Sequence, residues 1–201
     1  MTGLLVCGGE SRRMGRDKAL MELEGRALIE RPLAALRDVA EEVWLASGVG
    51  PRYEHLGLRC VLDSEPGSGP LAGLASGLLE CRTPWMAVLA CDLPRADAVT
   101  LRGLLQRAEA GGWDAALLGL ARGSQPLYAV YRAASCAPAV RAALRAGERR
   151  MVSFHGGLRV VSVAAVELGG AAERAGINLN TPEDLRSLEQ ERRSADTMDA
   201  P

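Results

Sequence analysis

Apolar residues fall into two alternating patterns: short unbroken runs closed by glycine or aspartate, and stretches where they return every three or four positions. The first pattern predicts buried strands, and the second predicts helices with one face on a sheet. Gly3-Leu4-Leu5-Val6-Cys7 is a run of the first kind, stopped by Gly8-Gly9. Glu42 to Ala46, ending at Ser47-Gly48, and Arg59 to Leu62, ending at Asp63, predict a second and a third strand. Trp85 to Cys91 is continuous, apolar and terminated by Asp92-Leu93-Pro94. Between these runs, Ala27 to Ala40 carries Leu28, Ile29, Leu33, Leu36 and Val39 at helical spacing, with Pro32 in its first turn or bending it. Pro51 to Leu58 reads as loop or irregular helix. A glycine-rich loop, Pro66 to Gly73, leads into an apolar helix through Leu74, Leu78 and Leu79. Ala98 to Ala110 is amphipathic and closes at Gly111-Gly112.

Strand and helix thus alternate as far as Ala110, which predicts an α/β fold: a Rossmann-like doubly wound, mostly parallel sheet with helices on both faces. The character then changes. Ala115 to Leu120 and Leu127 to Tyr131, joined by Ala121 to Pro126, predict a hairpin or paired strands. Ala139 to Ala146 predicts a helix stopped at Gly147, and Leu158 to Val163 another strand. Thr181-Pro182-Glu183-Asp184 opens a last helix, with Thr181 as N-cap, Pro182 at the first position and acids in the first turn. No repeat or linker interrupts the 201 residues, so residues 1–191 are expected to form one domain. The polar tail, 192–201, is expected to be disordered.

Composition narrows the class. Hydrophobic residues make up 48% of the chain and charged residues 24%, with a formal net charge of −1. That balance excludes a whole-protein attraction to nucleic acid or an anionic membrane, so an anionic substrate needs a local cationic site. No apolar run approaches the roughly 20 residues that span a bilayer. The apolar N-terminus lacks a preceding basic region and a small-residue cleavage site, which makes it a strand and not a signal peptide. The five cysteines, Cys7, Cys60, Cys81, Cys91 and Cys136, show no Cys-x-x-Cys spacing. They read as reduced thiols of a cytoplasmic protein, without a disulfide framework or zinc site. His55 and His155 are far apart and lack metal-type neighbours.

Candidate chemistry gathers at the strand ends. In open α/β sheets, ligands bind just beyond the carboxyl ends of the strands. Gly8-Gly9 lets the backbone turn sharply and bring its N–H groups to an anion, with Arg12, Arg13 and Lys18 close behind. That combination is a polyphosphate cradle. It is not a P-loop, because five residues separate Gly9 from Gly15 and Arg16 follows in place of Lys. The Gly-x-Gly-x-x-Gly dinucleotide fingerprint is absent as well. Lys18 can bridge phosphate oxygens as a point charge and Arg13 can fork onto them. Asp92 is a hard oxygen ligand suited to Mg²⁺, although Asp-x-Pro can equally cap a strand and start a turn. Asp63 carries the same alternative as a turn residue.

Gly8-Gly9-Glu10-Ser11-Arg12-Arg13-Met14-Gly15-Arg16-Asp17-Lys18 fits the nucleotidyltransferase signature Gly-Gly-x-Ser-x-Arg-Met-Gly-x-Asp-Lys, and the chain resembles the molybdenum cofactor guanylyltransferases. Four further segments carry the resemblance in family order: Pro66 to Leu74, Asp92-Leu93-Pro94, Pro126 to Ala129 with Ala146 to Arg150, and Asn178 to Leu185. The resemblance implies a nucleotide-diphospho-sugar transferase type of fold, with a GTP-binding half at 1–112 and an acceptor-binding half at 113–191. It implies transfer of GMP from GTP to molybdopterin with Mg²⁺, releasing pyrophosphate, and catalytic roles for Arg13, Lys18 and Asp92. Val6, Cys7, Gly8, Gly9, Ser11, Lys18, Ser47, Asp63 and Asp92 would hold the nucleotide, with Asp92 also on the metal. Asn178 and Asn180 would face molybdopterin, although Asn often bonds its own backbone ahead of a helix. Molybdoenzymes or their chaperones would receive the product.

Two positions depart from the family pattern. Cys7 stands where the family usually has Ala, a change that a backbone contact tolerates. Ser47 stands where the family often has Asn, so one hydroxyl replaces an amide's paired donor and acceptor. Two other functions compete. One is a related transferase using CTP or a sugar-phosphate acceptor, although those cytidylyltransferases usually read Ala-Ala-Gly at the first strand end. The other is a non-catalytic adaptor that binds nucleotide and molybdopterin.

Overall fold

The computed structural model describes residues 1–7, 17–63, 65, 67–179, 181 and 184. The expected glycine turn and cationic loop (Gly8, Gly9, Ser11, Arg12, Arg13), Asn180, Pro182, Glu183 and the tail lie outside the described residues.

Strand β1 (Thr2–Val6) is followed by a two-stranded hairpin, β2 (Glu22–Leu23) and β3 (Arg26–Ala27), and then by helix α1 (Glu30–Arg37). Glu24 and Gly25 both have positive φ, 58° and 71°, the backbone of a tight hairpin turn whose twist matches its strands. The hairpin explains why α1 starts three residues later than its periodicity predicts. Leu28 and Ile29 are buried, but their N–H groups bond back to Met21 and Ala19.

The chain continues through β4 (Glu42–Ala46), β5 (Arg59–Val61), α2 (Pro70–Glu80), β6 (Trp85–Ala90) and α3 (Ala98–Ala110). Then come β7 (Ala115–Leu120), β8 (Gly123–Arg132), α4 (Ala133–Arg145), β9 (Val160–Ala164) and the short α5 (Ala172–Ala175). Helix α4 begins six residues before the expected Ala139 and runs through Pro138, because Ala133 and Cys136 are buried on its inner face. Near the C-terminus, Thr181 Oγ1 accepts from the Asp184 N–H while Asp184 accepts from the Thr181 N–H, a reciprocal cap.

The seven-stranded sheet has the order β5-β4-β1-β6-β8-β7-β9. Strand β1 pairs in parallel with both β4 and β6, and β9 pairs in parallel with β7. Strand β8 alone is reversed, antiparallel to both of its neighbours. The sheet is therefore mostly parallel, and it buries both faces. Leu5, Leu45 and Leu89 point into a core closed by α1, α3 and α5, while Leu4, Trp44, Val88 and Tyr131 point into a second core under α2 and α4. Every residue of β1 and β6 is buried, which explains their unbroken apolar runs. Helix α2 lies close to the sheet through Gly77, where a Cβ would sit 2.8 Å from Leu4 Cδ2.

The hairpin β7–β8 is longer than expected. Its pairing steps from Leu117↔Ala129 to Leu118↔Gln125, a bulge that takes Pro126 out of the ladder. Gln125 is thereby part of the strand and not of the connecting loop.

Candidate active site

The order of strands reverses between β1 and β6, and the ends of these two strands form the centre of one rim. Ladder bonding continues to the very edge: Cys7 N–H bonds Ala46 O at 2.8 Å, and Cys91 N–H bonds Val6 O at 3.1 Å. Asp92 follows at once. Lys18 opens a single 3₁₀ turn, Lys18–Leu20, capped by Asp17 through the Ala19 N–H. Its Nζ donates to Asp92 Oδ2 at 3.0 Å, from 74 residues away in sequence. Their side chains are 13% and 23% exposed, so the pair is partly withdrawn from water and still open to a ligand.

Asp92 is held by two more donors. Asn178 Nδ2 lies 2.6 Å from Oδ1, and the Leu179 N–H bonds the Asp92 carbonyl oxygen at 2.9 Å. Gln125 Nε2 in turn donates to Asn178 Oδ1 at 2.6 Å. Because β8 is reversed, it delivers Gln125 from its start to the rim where the parallel strands end.

A second cluster steadies Lys18. The Tyr53 hydroxyl reaches both Asp17 oxygens at 2.9 Å, and the Arg52 guanidinium bonds Oδ2 and lies 4.9 Å over the Tyr53 ring. Tyr53 takes a left-handed backbone, φ 58°, which a bulky residue adopts only when its surroundings hold it there. Burial, reinforced by the Asp17 carboxylate, pushes the Tyr53 phenol well above its ordinary range, so it remains a donor. Burial and the adjoining Cys91 thiol likewise raise the Cys7 thiol well above its usual value. Cys7 is a packed thiol and not a nucleophile.

Ser47 is buried and its hydroxyl donates to Gly50 O at 2.8 Å, leaving lone pairs but no free proton. Asp63, one strand away, donates its N–H to Gly48 O at 2.9 Å. Burial raises its carboxyl above the ordinary range. A Cβ at Gly73 would sit 3.4 Å from Asp63 Oδ1 and 2.9 Å from Ala46, so glycine there leaves room for the carboxylate. Further along the rim, the Arg149 guanidinium bonds the buried Ser68 hydroxyl at the start of α2.

Among the residues expected at the site, Lys18, Asp92 and Asn178 form one hydrogen-bonded set. Val6, Cys7, Ser47 and Asp63 stand at the ends of β1, β4 and β5. Gln125, Asp17, Arg52 and Tyr53 carried no expected role. Gln125 directly precedes the recognisable Pro126 to Ala129 segment, which is the one signal that points to it. Among the described residues, no three His, Cys, Asp or Glu side chains gather to cage a metal. Asp92 suits an ion that takes one carboxylate and completes its shell with water and substrate phosphate, as Mg²⁺ does.

The family model for the MobA-like NTP transferase domain matches residues 3–160. A relative from Pelotomaculum thermopropionicum, named probable molybdenum cofactor guanylyltransferase, is 37% identical over 92% of this chain and 89% of its own. One of the same name from Opitutus terrae is 38% identical, covering 92% of both chains. Among solved structures, molybdopterin-guanine dinucleotide biosynthesis protein A from Archaeoglobus fulgidus superposes with a TM-score of 0.78 at 24% identity, covering 96% of this chain and 100% of the other. The 2-C-methyl-D-erythritol 4-phosphate cytidylyltransferase of Thermus thermophilus gives 0.69 at 21% identity, covering 94% and 98%, and shares the fold.

Proposed function

The chain belongs to the MobA-like NTP transferase family, and we propose that it transfers GMP from GTP to molybdopterin, releasing pyrophosphate. A terminal phosphate oxygen of the acceptor attacks the α-phosphorus in line. The new O–P bond forms as the bond to the β-phosphate oxygen breaks, and pyrophosphate leaves with that electron pair. Such a reaction asks the protein for placement and for positive charge where negative charge builds up.

The observation that carries this reading is the Lys18–Asp92 contact at 3.0 Å on the rim between β1 and β6. Lys18 can turn its ammonium from Asp92 to a phosphate oxygen, with Asp17, Arg52 and Tyr53 holding the turn that carries it. Arg13 adds a second cation on the phosphates. Asp92 would hold Mg²⁺, which when bound would neutralise the triphosphate charge. Asp63 accepts from guanine N1–H and N2–H₂ or from ribose, and Ser47 offers lone pairs beside it. Val6, Cys7 and Gly8 contact the nucleotide through backbone groups, and Gly9 and Ser11 belong to the same nucleotide-binding set. Residues 1–112 form the GTP half and 113–191 the acceptor half, with Asn178 and Asn180 toward the pterin. Five cysteines without a disulfide suit a cytoplasmic protein, and the product would pass to a molybdoenzyme or its chaperone.

The test is pyrophosphate release from GTP, Mg²⁺ and molybdopterin, with CTP, ATP and UTP as competitors. GTP is expected to support turnover and to outcompete the others. Faster turnover with CTP would assign a cytidylyltransferase, and tight GTP binding without turnover would assign an adaptor. Either outcome overturns the proposal.

A further inference from the structure

Behind the groups that face the nucleotide lies a relay of two amides. Asp92, as a carboxylate, only accepts hydrogen bonds. Asn178 therefore turns its NH₂ to Asp92 Oδ1, at 2.6 Å, and its own Oδ1 away. Gln125 meets that oxygen with Nε2 at 2.6 Å, and the same nitrogen lies 3.5 Å from Gly176 O. Donors and acceptors then alternate without conflict from Gln125 through Asn178 into Asp92. Turned the other way, Asn178 would set a carbonyl against the carboxylate and its NH₂ against that of Gln125.

We propose that Gln125 is a positioning residue for Asp92, acting through the side chain of Asn178; the proposal rests on the guanylyl-transfer reading of Asp92. Backbone holds both ends of the relay. Gln125 pairs with Leu118 on the far side of the bulge, and the Leu179 N–H bonds Asp92 O at 2.9 Å. With Oδ1 pinned by Asn178, the carboxylate keeps Oδ2 turned toward Lys18 and the phosphates. The bond from Gln125 thus supports the ligand in place without Gln125 itself touching substrate.

Gln125→Leu keeps the bulk and removes the donor. It is expected to lower kcat about tenfold and to raise the Mg²⁺ concentration for half-maximal rate severalfold, with KM for GTP within about twofold. Asn178→Ala should lose at least as much. In that background Gln125→Leu should change the rate less than about twofold, because both act through one bond. A second readout needs no turnover: the side-chain amide NMR signal of Asn178 in the free protein, shifted by its charged acceptor, should move in Gln125→Leu. Gln125→Asn, one methylene shorter, serves in the same way where the leucine variant does not fold. Losses that multiply in the double variant, or an Asn178 signal that stays in place, would overturn the proposal. A wild-type protein that releases no pyrophosphate sinks the guanylyl reading, while the Asn178 signal still decides whether Gln125 orients the partner of Asp92.

Discussion

Replacing Asp92 by Asn tests the centre of the site, because the two side chains have the same shape and different hydrogen-bonding capacity. The carboxylate accepts from Lys18 at 3.0 Å and from Asn178 at 2.6 Å. The amide can accept from only one of them and must point its NH₂ at the other, so one donor–donor conflict is unavoidable. The charge is lost as well. At an effective dielectric of about 20, opposite charges 3.0 Å apart attract by about 5.5 kcal/mol before desolvation is subtracted. Both side chains retain contact with water, at 13% and 23% exposure, which reduces the net effect. A loss of about 2 kcal/mol in stability is expected, the range for a hydrogen bond to a charged group. For a chain of this size that lowers Tm by about 4–8 °C. Pyrophosphate release should fall further, by about 10²–10³-fold, the usual effect of removing one preorganised electrostatic group. Turnover assayed well below the variant's Tm, beside thermal unfolding followed by circular dichroism, separates the two losses. Turnover within about threefold of wild type at full nucleotide saturation would refute the placement of the triphosphate over Asp92.

Two further substitutions probe the surroundings of that pair. Tyr53→Phe removes a hydroxyl 2.9 Å from both Asp17 oxygens and should cost about 1.5 kcal/mol. The urea midpoint should drop with no change in slope, and KM for GTP should rise because Asp17 caps the turn that carries Lys18; an unmoved midpoint would count against the cluster. Burial raises the Asp63 carboxyl in the folded state, so its contribution to stability is present below the unfolded titration, near pH 3.9, and is lost as pH rises through the raised value. Ionised Asp63 is thus a burden at neutral pH. Asp63→Asn is expected to raise Tm at neutral pH, to lose that gain in acid and to weaken GTP binding; a lower neutral Tm would contradict the burial argument.

What was legible in the chain was local. The strands β1 and β6 are runs of buried residues, and β4 is one after its exposed Glu42, each closed by a glycine, serine or aspartate stop, and a buried parallel strand can hardly be written otherwise. Helix α3 shows both ends, Asp97 accepting from the Thr100 N–H and Gly111 closing the last turn. Lys18 and Asp92 stood out because each follows a strand end. What stayed hidden depends on contacts across long separations. Tyr53 lies 36 residues from Asp17, and nothing in its neighbourhood marks it as a partner of that carboxylate. Gln125 was lost inside a presumed loop, since a proline at 126 argues against a strand unless a bulge takes it out of the ladder. The first turns of α4 stayed hidden as well: the helix runs through Pro138, where its buried inner face outweighs the missing N–H. The expected hairpin turns β8 back against β7, but its antiparallel pairing with β6 could not be read, because an apolar run predicts a strand without predicting its other neighbour.

The tip of the β7–β8 hairpin is fastened to the segment beyond it: the Ala121 N–H bonds Glu173 at 3.1 Å and the Arg122 guanidinium bonds Gly176 O at 3.2 Å. Two residues later in the chain, Asn178 grips Asp92. A change in the length of that hairpin would therefore pull on the Asp92 carboxylate. On the proposed reading, in which this half holds the acceptor and Asp92 serves the phosphate chemistry, acceptor choice and catalytic rate would be mechanically geared, and drift in one would force compensation in the other.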